Sequence, residues 1–480
     1  MNPQAPGNAS HQAADPAHME SILARQRQAY AASPMPTLAE RKRHLAALRA
    51  LLIAHTGAIA AAISGDFTAR SVGDTLLGEI IPSVRSIDYA LKRLRHWMKP
   101  SPRSVGLDFL PASARVVYQP LGVVGIIVPF NYPVNLAVVP LVAALAAGNR
   151  AMIKMSERTP RTAAVMQEML GRYFGEDHVA VVTGDADIAA AFSRLSFDHL
   201  LLTGSIPVGK QVMRAAADNL TPVTLELGGK SPAIIADDIP LQDIMARLCL
   251  AKSLNAGQTC VAPDYVLIPR AKLEPFMQLY QAAFRKMYPT INGNPDYTSV
   301  VDARSHQRLQ NLLKDAAAKG ARIARVSDET MTDGTFRMPL HLVTEVTDEM
   351  TIMQEELFGP ILPVVPYDSI EEALAYVNRR QRPLALYLFS YDTALHDHVT
   401  DHTHSGTMCI NEALIQVAVD DLPFGGIGPS GMGHYHGHEG FLTMSKAKSI
   451  LNKGRLNSME LMYPPYRGTI RKWLLKWLMR

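Results

Sequence analysis

The stretch Leu254-Asn255-Ala256-Gly257-Gln258-Thr259-Cys260-Val261-Ala262 decides how this chain is read. It sets one cysteine on a small, glycine-containing segment after a long hydrophobic region of α/β character. Upstream lies Leu225-Glu226-Leu227-Gly228-Gly229-Lys230-Ser231-Pro232, a carboxylate in an apolar strand that breaks at a glycine pair. A thiol and a carboxylate so placed point to covalent catalysis with a separate acid/base. A free thiol is only a few per cent ionised at neutral pH and needs a local field or base to be more so. Cys260 sits beside polar groups in a Gly-Gln-Thr loop. Cys249 and Cys409, each amid apolar neighbours, read as buried structural thiols.

Outward from that core the chain alternates strand and helix. Val123-Val124-Gly125-Ile126-Ile127-Val128 is a buried-strand run, ended by Pro129-Phe130-Asn131-Tyr132-Pro133. Helices are expected over 138–148, 159–174 and 186–195, and strands over 151–154, 179–182 and 199–202. After Glu226 the alternation resumes with strands over 233–236 and 264–268 and a helix over 241–253. Spacing of this kind predicts parallel sheets covered on both faces, a doubly wound α/β fold. Residues 20–98 read as helical scaffolding, with one helical block over 75–98. Prolines punctuate 99–119, where 114–118 reads as an exposed strand available for pairing with another subunit.

The chain has 480 residues, too many for one core, so two or three domains are expected. Hydrophobic residues make up 48% and charged ones 19%, which suits a soluble globular enzyme. A net charge of +4 is small for this length and gives no case for nucleic-acid binding. Three cysteines cannot form a disulfide framework, which points to a reducing compartment and a cytoplasmic enzyme. Residues 1–19 lack the apolar core of a signal peptide and read as a flexible tail. At the other end, residues 470–480 are basic, with apolar positions at helical spacing and Trp473 and Trp477 among them. Such an end suits peripheral contact with a membrane surface. With about three turns available, docking on the protein or on a second subunit is the stronger reading.

Thr203-Gly204-Ser205-Ile206-Pro207-Val208-Gly209 is a strand-to-helix turn of the kind that binds phosphate, through free backbone N–H groups and the helix dipole. It lacks the G-x-G-x-x-G fingerprint, and an ordinary turn fits equally well. Lys154 and Glu157 could hold the two hydroxyls of a ribose, the acid favouring NAD over NADP; taken alone, the pair reads more readily as a solvated helix start. The alternating histidines of His434-Tyr435-His436-Gly437-His438 have no clustered cysteine or carboxylate, so no metal is expected there.

Together these stretches resemble the aldehyde dehydrogenase superfamily over nearly the whole chain. The segment around Glu226 is similar to that family's glutamate motif and the segment from Asn255 to Cys260 to its cysteine motif. Glu355-Glu356-Leu357-Phe358-Gly359-Pro360 and Pro129-Phe130-Asn131-Tyr132-Pro133 match two more, in the family's order and spacing. Gly433-His434-Tyr435-His436-Gly437 and Tyr463-Pro464-Pro465-Tyr466 extend the resemblance to the class 3-like branch and, within it, to bacterial coniferyl aldehyde dehydrogenases.

The resemblance implies two Rossmann-like domains, cofactor-binding and catalytic, with a small β element for oligomerisation. It sets the NAD(P)-binding domain at 20–98 and 119–226, the catalytic domain at 227–440, the oligomerisation strands at 99–118 and 441–455, and a C-terminal extension at 456–480. A homodimer is implied. Cys260 is the implied nucleophile toward an aldehyde, aromatic or medium-to-long aliphatic. Asn131 and the Cys260 N–H stabilise the oxyanion, and Glu226 is the base for hydrolysis. The cofactor, NAD with NADP possible, is implied at Lys154 and Glu157 (adenosine ribose), at Gly204, Ser205 and Gly209 (pyrophosphate turn), and at Glu356 and Phe358 (nicotinamide ribose). Two departures stand out. Phe130 replaces the family's usual tryptophan, leaving more room in the substrate tunnel. Met155 replaces a usual proline after the ribose lysine and bears on the NAD/NADP preference. An acylating, CoA-dependent relative is disfavoured because Glu226 is a hydrolytic base, and a non-catalytic member because Cys260, Glu226 and Asn131 are all present.

Overall fold

A computed structural model of the protein describes residues 15–106, 109–456, 460 and 463–479. Its first sheet has six strands in the order 431–432, 223–227, 199–204, 123–127, 150–154, 179–182. The last five are parallel, and the two-residue strand Gly431–Met432 runs antiparallel, setting Gly431 opposite Glu226. All five residues of Val123–Ile127 are buried, as expected of a strand covered on both faces.

Against this sheet lies helix Asn135–Ala147, buried at every position but its first and ended by Gly148 at φ +92°. A helix so apolar presents no polar face, and its ends are met by charges from the helical region before it. Glu79 Oε2 accepts from the N–H groups of Val134 (3.0 Å) and Asn135 (2.7 Å) at the N-terminus. Arg41 Nη1 donates to the carbonyls of Ala146 (2.9 Å) and Ala147 (2.6 Å) at the C-terminus. Each charge matches the sign of the helix dipole at its end.

The second sheet has seven strands in the order 322–325, 341–344, 361–367, 265–269, 232–235, 385–389, 407–410. All are parallel except the edge strand Arg322–Arg325. Strands Ser101–Arg103, Ser113–Pro120 and Ser445–Asn452 form a separate antiparallel sheet of three. The expected doubly wound α/β class is therefore present in both halves.

Several boundaries differ from the sequence reading. Helix Pro16–Ala32 starts at an Asp15 cap and buries Met19 fully, so the expected tail does not reach residue 19; residues 1–14 lie outside the described residues. The block expected over 75–98 is broken into a short helix Val72–Thr75, a π-turn Leu76–Ile80 and helix Ile81–Trp97. The catalytic unit expected to run to 440 is left by residue 431, because Gly431–Met432 completes the first sheet and helix Gly437–Thr443 packs on Asn135–Ala147. Residues 441–443 are thus helix, and the following strand starts at Ser445. The C-terminal helix Thr469–Leu478 forms as expected, with Ile470 and Trp473 74% and 66% exposed.

Candidate active site

The cysteine loop is shaped by three successive left-handed residues. Helix Leu241–Ser253 ends where Asn255, Ala256 and Gly257 take φ of +52°, +51° and +72°. Only glycine fits the third position, since a Cβ there would lie 2.6 Å from the Gly359 carbonyl oxygen. A left-handed conformation costs a non-glycine residue about 1–2 kcal/mol, so the loop needs compensation. The Asn255 N–H donates to Asp74 Oδ2 at 2.9 Å, and its side-chain amide donates to the carbonyls of Asn131 (3.0 Å) and Gln258 (3.2 Å). Gln258 in turn donates to the carbonyls of Asn255 (2.9 Å) and Ser299 (3.0 Å) and accepts from the Val301 N–H (2.9 Å).

Cys260 emerges from this brace half-buried. Burial and the nearby carboxylates of Glu356 and Glu226 push its thiol up to about 12, while the N–H groups of Cys260 and Val261 face the sulfur and oppose the rise. The resting group is therefore a thiol, with two backbone donors facing its sulfur. Cys249 is fully buried as expected; Cys409 is only half-buried, because the strand Thr407–Ile410 is the outer strand of its sheet.

Glu226 sits on strand Val223–Leu227, between Thr203 and Gly431 in the sheet register. Its side chain is buried, and neither carboxylate oxygen has a hydrogen-bond partner among the described residues. Burial raises its pKa well above the usual carboxylate range. An unpartnered buried polar group costs about 1–3 kcal/mol. Glu226 lies close enough to Cys260 for its charge to raise the thiol. Asn131 is buried too, its side-chain amide donating to the Gln258 carbonyl at 3.2 Å, two residues from Cys260. Thiol, carboxyl and amide come from three distant stretches: the carboxyl is close enough to act on the thiol, and the amide binds the loop that carries it.

Glu356 approaches from the second half. Burial and Asp264 raise its carboxyl to about 8, against the Gly229 N–H, Lys230 and Lys252. Its carboxylate lies directly over Gly228, where a Cβ would come within 2.0 Å of Oε2. Phe358 packs edge-to-face on Phe130 (5.7 Å between centroids), and the Arg158 guanidinium covers Phe130 at 4.0 Å. A cleft of about 420 Å³ lies alongside, bounded by Ile206, Gly228, Gly229, Glu356 and Arg382 among others. Helix Ile206–Ala217 opens onto it with no side chain capping its first turn, so its N–H groups suit an anion. Ser205 is exposed at that turn, Gly204 ends the strand, and Gly209 allows the helix to pack on Leu227, where a Cβ would meet Cδ2 at 2.7 Å.

Lys154 and Glu157 lie at the carboxyl end of another strand of the same sheet. Glu157 is exposed, whereas Lys154 is buried and its Nζ donates to the carbonyls of Met155 (2.7 Å) and Gly184 (2.8 Å). The lysine is fixed in place by the protein and does not hydrogen-bond Glu157.

Tyr435 is a site residue that sequence reasoning passed over. It is buried beside both Glu226 and Cys260, and burial, then the ionised forms of those two groups, drives its hydroxyl pKa up. The histidine-rich segment carrying it served only as a mark of kinship; nothing in its pattern shows that it folds back over the thiol.

The sequence profile of the Aldehyde dehydrogenase family matches residues 5–450. The chain is 55% identical to a probable coniferyl aldehyde dehydrogenase of Pseudomonas aeruginosa, over 96% of each protein. Its structure is similar to the substrate-bound state of Staphylococcus aureus AldH, with a TM-score of 0.91 and 35% identity, covering 96% of this chain and 99% of that one. It is also similar to an NAD+ complex of an aldehyde dehydrogenase from Bacillus cereus, with a TM-score of 0.82 and 26% identity, covering 92% and 89%. With two matching α/β halves and a thiol, a carboxyl and an amide gathered between them, this chain belongs to the aldehyde dehydrogenase family.

Proposed function

We propose that this protein oxidises an aromatic aldehyde of the coniferaldehyde type to its carboxylic acid, with NAD(P)+ as cofactor. The observation that carries the reading is a buried, unpartnered Glu226 close enough to act on the Cys260 thiol, with the Asn131 amide bound to the loop that carries that thiol. Cys260 gives up its thiol proton to water, and Sγ attacks the aldehyde carbon to give a tetrahedral thiohemiacetal. The Cys260 N–H and the Asn131 carboxamide stabilise its oxygen, and one such donor is typically worth about 3 kcal/mol. Nicotinamide, when bound, would accept the hydride; Glu356 would hold its ribose, the Gly204–Ser205 turn the pyrophosphate, and Lys154 and Glu157 the adenosine ribose. A thioester is left on Cys260. Ionised Glu226 takes a proton from water, the water oxygen adds to the thioester carbon, the C–S bond breaks with that proton returned to Cys260 Sγ, and the acid departs. The carboxyl has no hydrogen bond to break before it moves.

The substrate class rests on the likeness to the Pseudomonas aeruginosa protein. Initial rates with purified protein should favour coniferaldehyde over decanal by about tenfold or more in kcat/KM, a difference of about 1.4 kcal/mol in transition-state binding. Preference for decanal would keep the mechanism and move the substrate to aliphatic aldehydes. Acyl transfer to CoA with little free acid would replace the hydrolytic reading altogether.

The Ser445–Asn452 strand is an edge with mostly exposed side chains, which favours a homodimer joined through this sheet. The exposed Trp473 and Trp477, together with Arg471, Lys472 and Lys476 and no acidic residue on the helix, favour contact with an anionic membrane surface. Full-length protein and a form ending at residue 468 test both. Light scattering should give a dimer mass for each. Only the full-length form should co-sediment with phosphatidylserine-containing liposomes; equal partitioning would remove the membrane role, and a monomer mass would remove the dimer.

A further inference from the structure

The segment from Arg70 to Ile80 carries three charged residues inward, and the reaction described above uses none of them. Arg70 and Glu79 have fully buried side chains and lie 3.4 Å apart, while Asp74 is 6% exposed. Each ends on a loop the reaction does use. Arg70 Nη1 donates to the Asn131 carbonyl oxygen at 2.7 Å. Glu79 holds the Val134 and Asn135 N–H groups, just past that same loop. Asp74 Oδ2 accepts from the Asn255 N–H at 2.9 Å and from the Thr298 hydroxyl at 2.5 Å, on the cysteine side. The Arg70 guanidinium lies over the rings of Phe67 and Tyr132, at 5.0 and 4.9 Å from their centroids. Tyr132 Oη is 2.8 Å from Thr259 Oγ1, the residue before Cys260. The segment also touches the loop directly, for a Cβ on Gly78 would lie 2.4 Å from the Tyr132 ring.

Packing alone does not account for this pair. A buried ion pair can often be replaced by apolar residues of similar volume with no loss of stability. This pair is under-satisfied as well, since Arg70 Nε and Nη2 and Glu79 Oε1 lack hydrogen-bond partners among the described residues. What an apolar replacement could not supply is a directed donor to the Asn131 carbonyl. The π-turn Leu76–Ile80, a distortion frequent at functional sites, lies in this same segment and carries Glu79.

We propose that Arg70, held by Glu79, is a positioning residue for the oxyanion hole. By fixing the Asn131 carbonyl it holds the backbone still, so that only the side-chain amide turns from the Gln258 carbonyl to the oxygen of the adduct on Cys260. The proposal rests on the reading of Asn131 as an oxyanion donor, and a double-mutant cycle separates the two.

Rates are measured per alkylatable Cys260 for Arg70→Met, Glu79→Gln, Asn131→Ala and the Arg70→Met/Asn131→Ala pair. Asn131→Ala should lower kcat about 100-fold. Arg70→Met should lower it about tenfold or more with aldehyde KM nearly unchanged, and Glu79→Gln should follow in the same direction. In the Asn131→Ala background, Arg70→Met should cost nothing further, because the amide it aims is gone. A full additional loss in the double variant would overturn the proposal, as would wild-type kcat per thiol in both Arg70→Met and Glu79→Gln. Wild-type kcat in Asn131→Ala would instead overturn the oxyanion reading beneath it. If Arg70→Met does not fold, the cycle of Glu79→Gln with Asn131→Ala is read in the same way.

Discussion

Turnover of coniferaldehyde by a Cys260→Ala protein is expected to fall by about 10⁴-fold or more, the scale seen when a covalent nucleophile is removed. Without Sγ no tetrahedral adduct forms, and the aldehyde carbon keeps its planar geometry and its hydrogen. Neither of the other two cysteines can take over. Cys249 is enclosed in the core with its thiol raised to about 12, and Cys409 stands on an outer strand beside Glu412, whose charge also raises its thiol. The fold should survive, since Cys260 is half-buried and the loop is braced through Asn255 and Gln258. The readout is NADH absorbance under saturating cofactor, with thermal melting as the control. A kcat within tenfold of wild type in a folded protein would end the covalent mechanism.

Glu226→Gln should give a different failure. The carboxyl acts after the thioester has formed, so the variant is expected to release about one equivalent of NADH per site in a rapid burst and then to turn over about 10²–10⁴-fold more slowly, the usual range for a lost general base. Glutamine is nearly isosteric and neutral. Neither carboxylate oxygen has a hydrogen-bond partner among the described residues to lose, so the buried pocket should accept the change without destabilisation. Stopped-flow absorbance separates burst from steady state. Wild-type turnover would clear Glu226 of any role. Loss of the burst itself would mean that the group also takes the proton from the Cys260 thiol, a step for which its position beside that thiol leaves room.

The sequence disclosed the parts of this molecule that are written in local pattern. The parallel strands are short apolar runs bounded by glycine, and Cys260 and Glu226 each sit at a break in such a run. Helix Leu241–Ser253 has the bounds its periodicity predicts. What stayed hidden depends on contacts between distant residues. Arg70, Asp74 and Glu79 fall in a stretch of helical pattern, where charges ordinarily read as a solvated face; only the fold shows them buried. The left-handed turn at Asn255 and Ala256 carries no glycine or proline at those positions to announce it, since hydrogen bonds from elsewhere hold it. Strand Gly431–Met432 is two residues long and has no period to detect. The enclosure of Tyr435 was missed for the same reason. Its side chain is defined by what it folds against rather than by its neighbours in the chain.

That two-residue strand has a bearing on how the protein is made. The first sheet is mostly encoded before residue 228, yet its outermost strand, and the Gly437–Thr443 helix that covers Asn135–Ala147, come from the last tenth or so of the chain. A nascent chain that has emerged only as far as the second sheet exposes an open edge at Val223–Leu227 and one side of an entirely apolar helix. Both are sites for wrong pairing. Folding of the first half therefore waits on synthesis of nearly all of the second, and the two halves, however alike in architecture, mature as one unit.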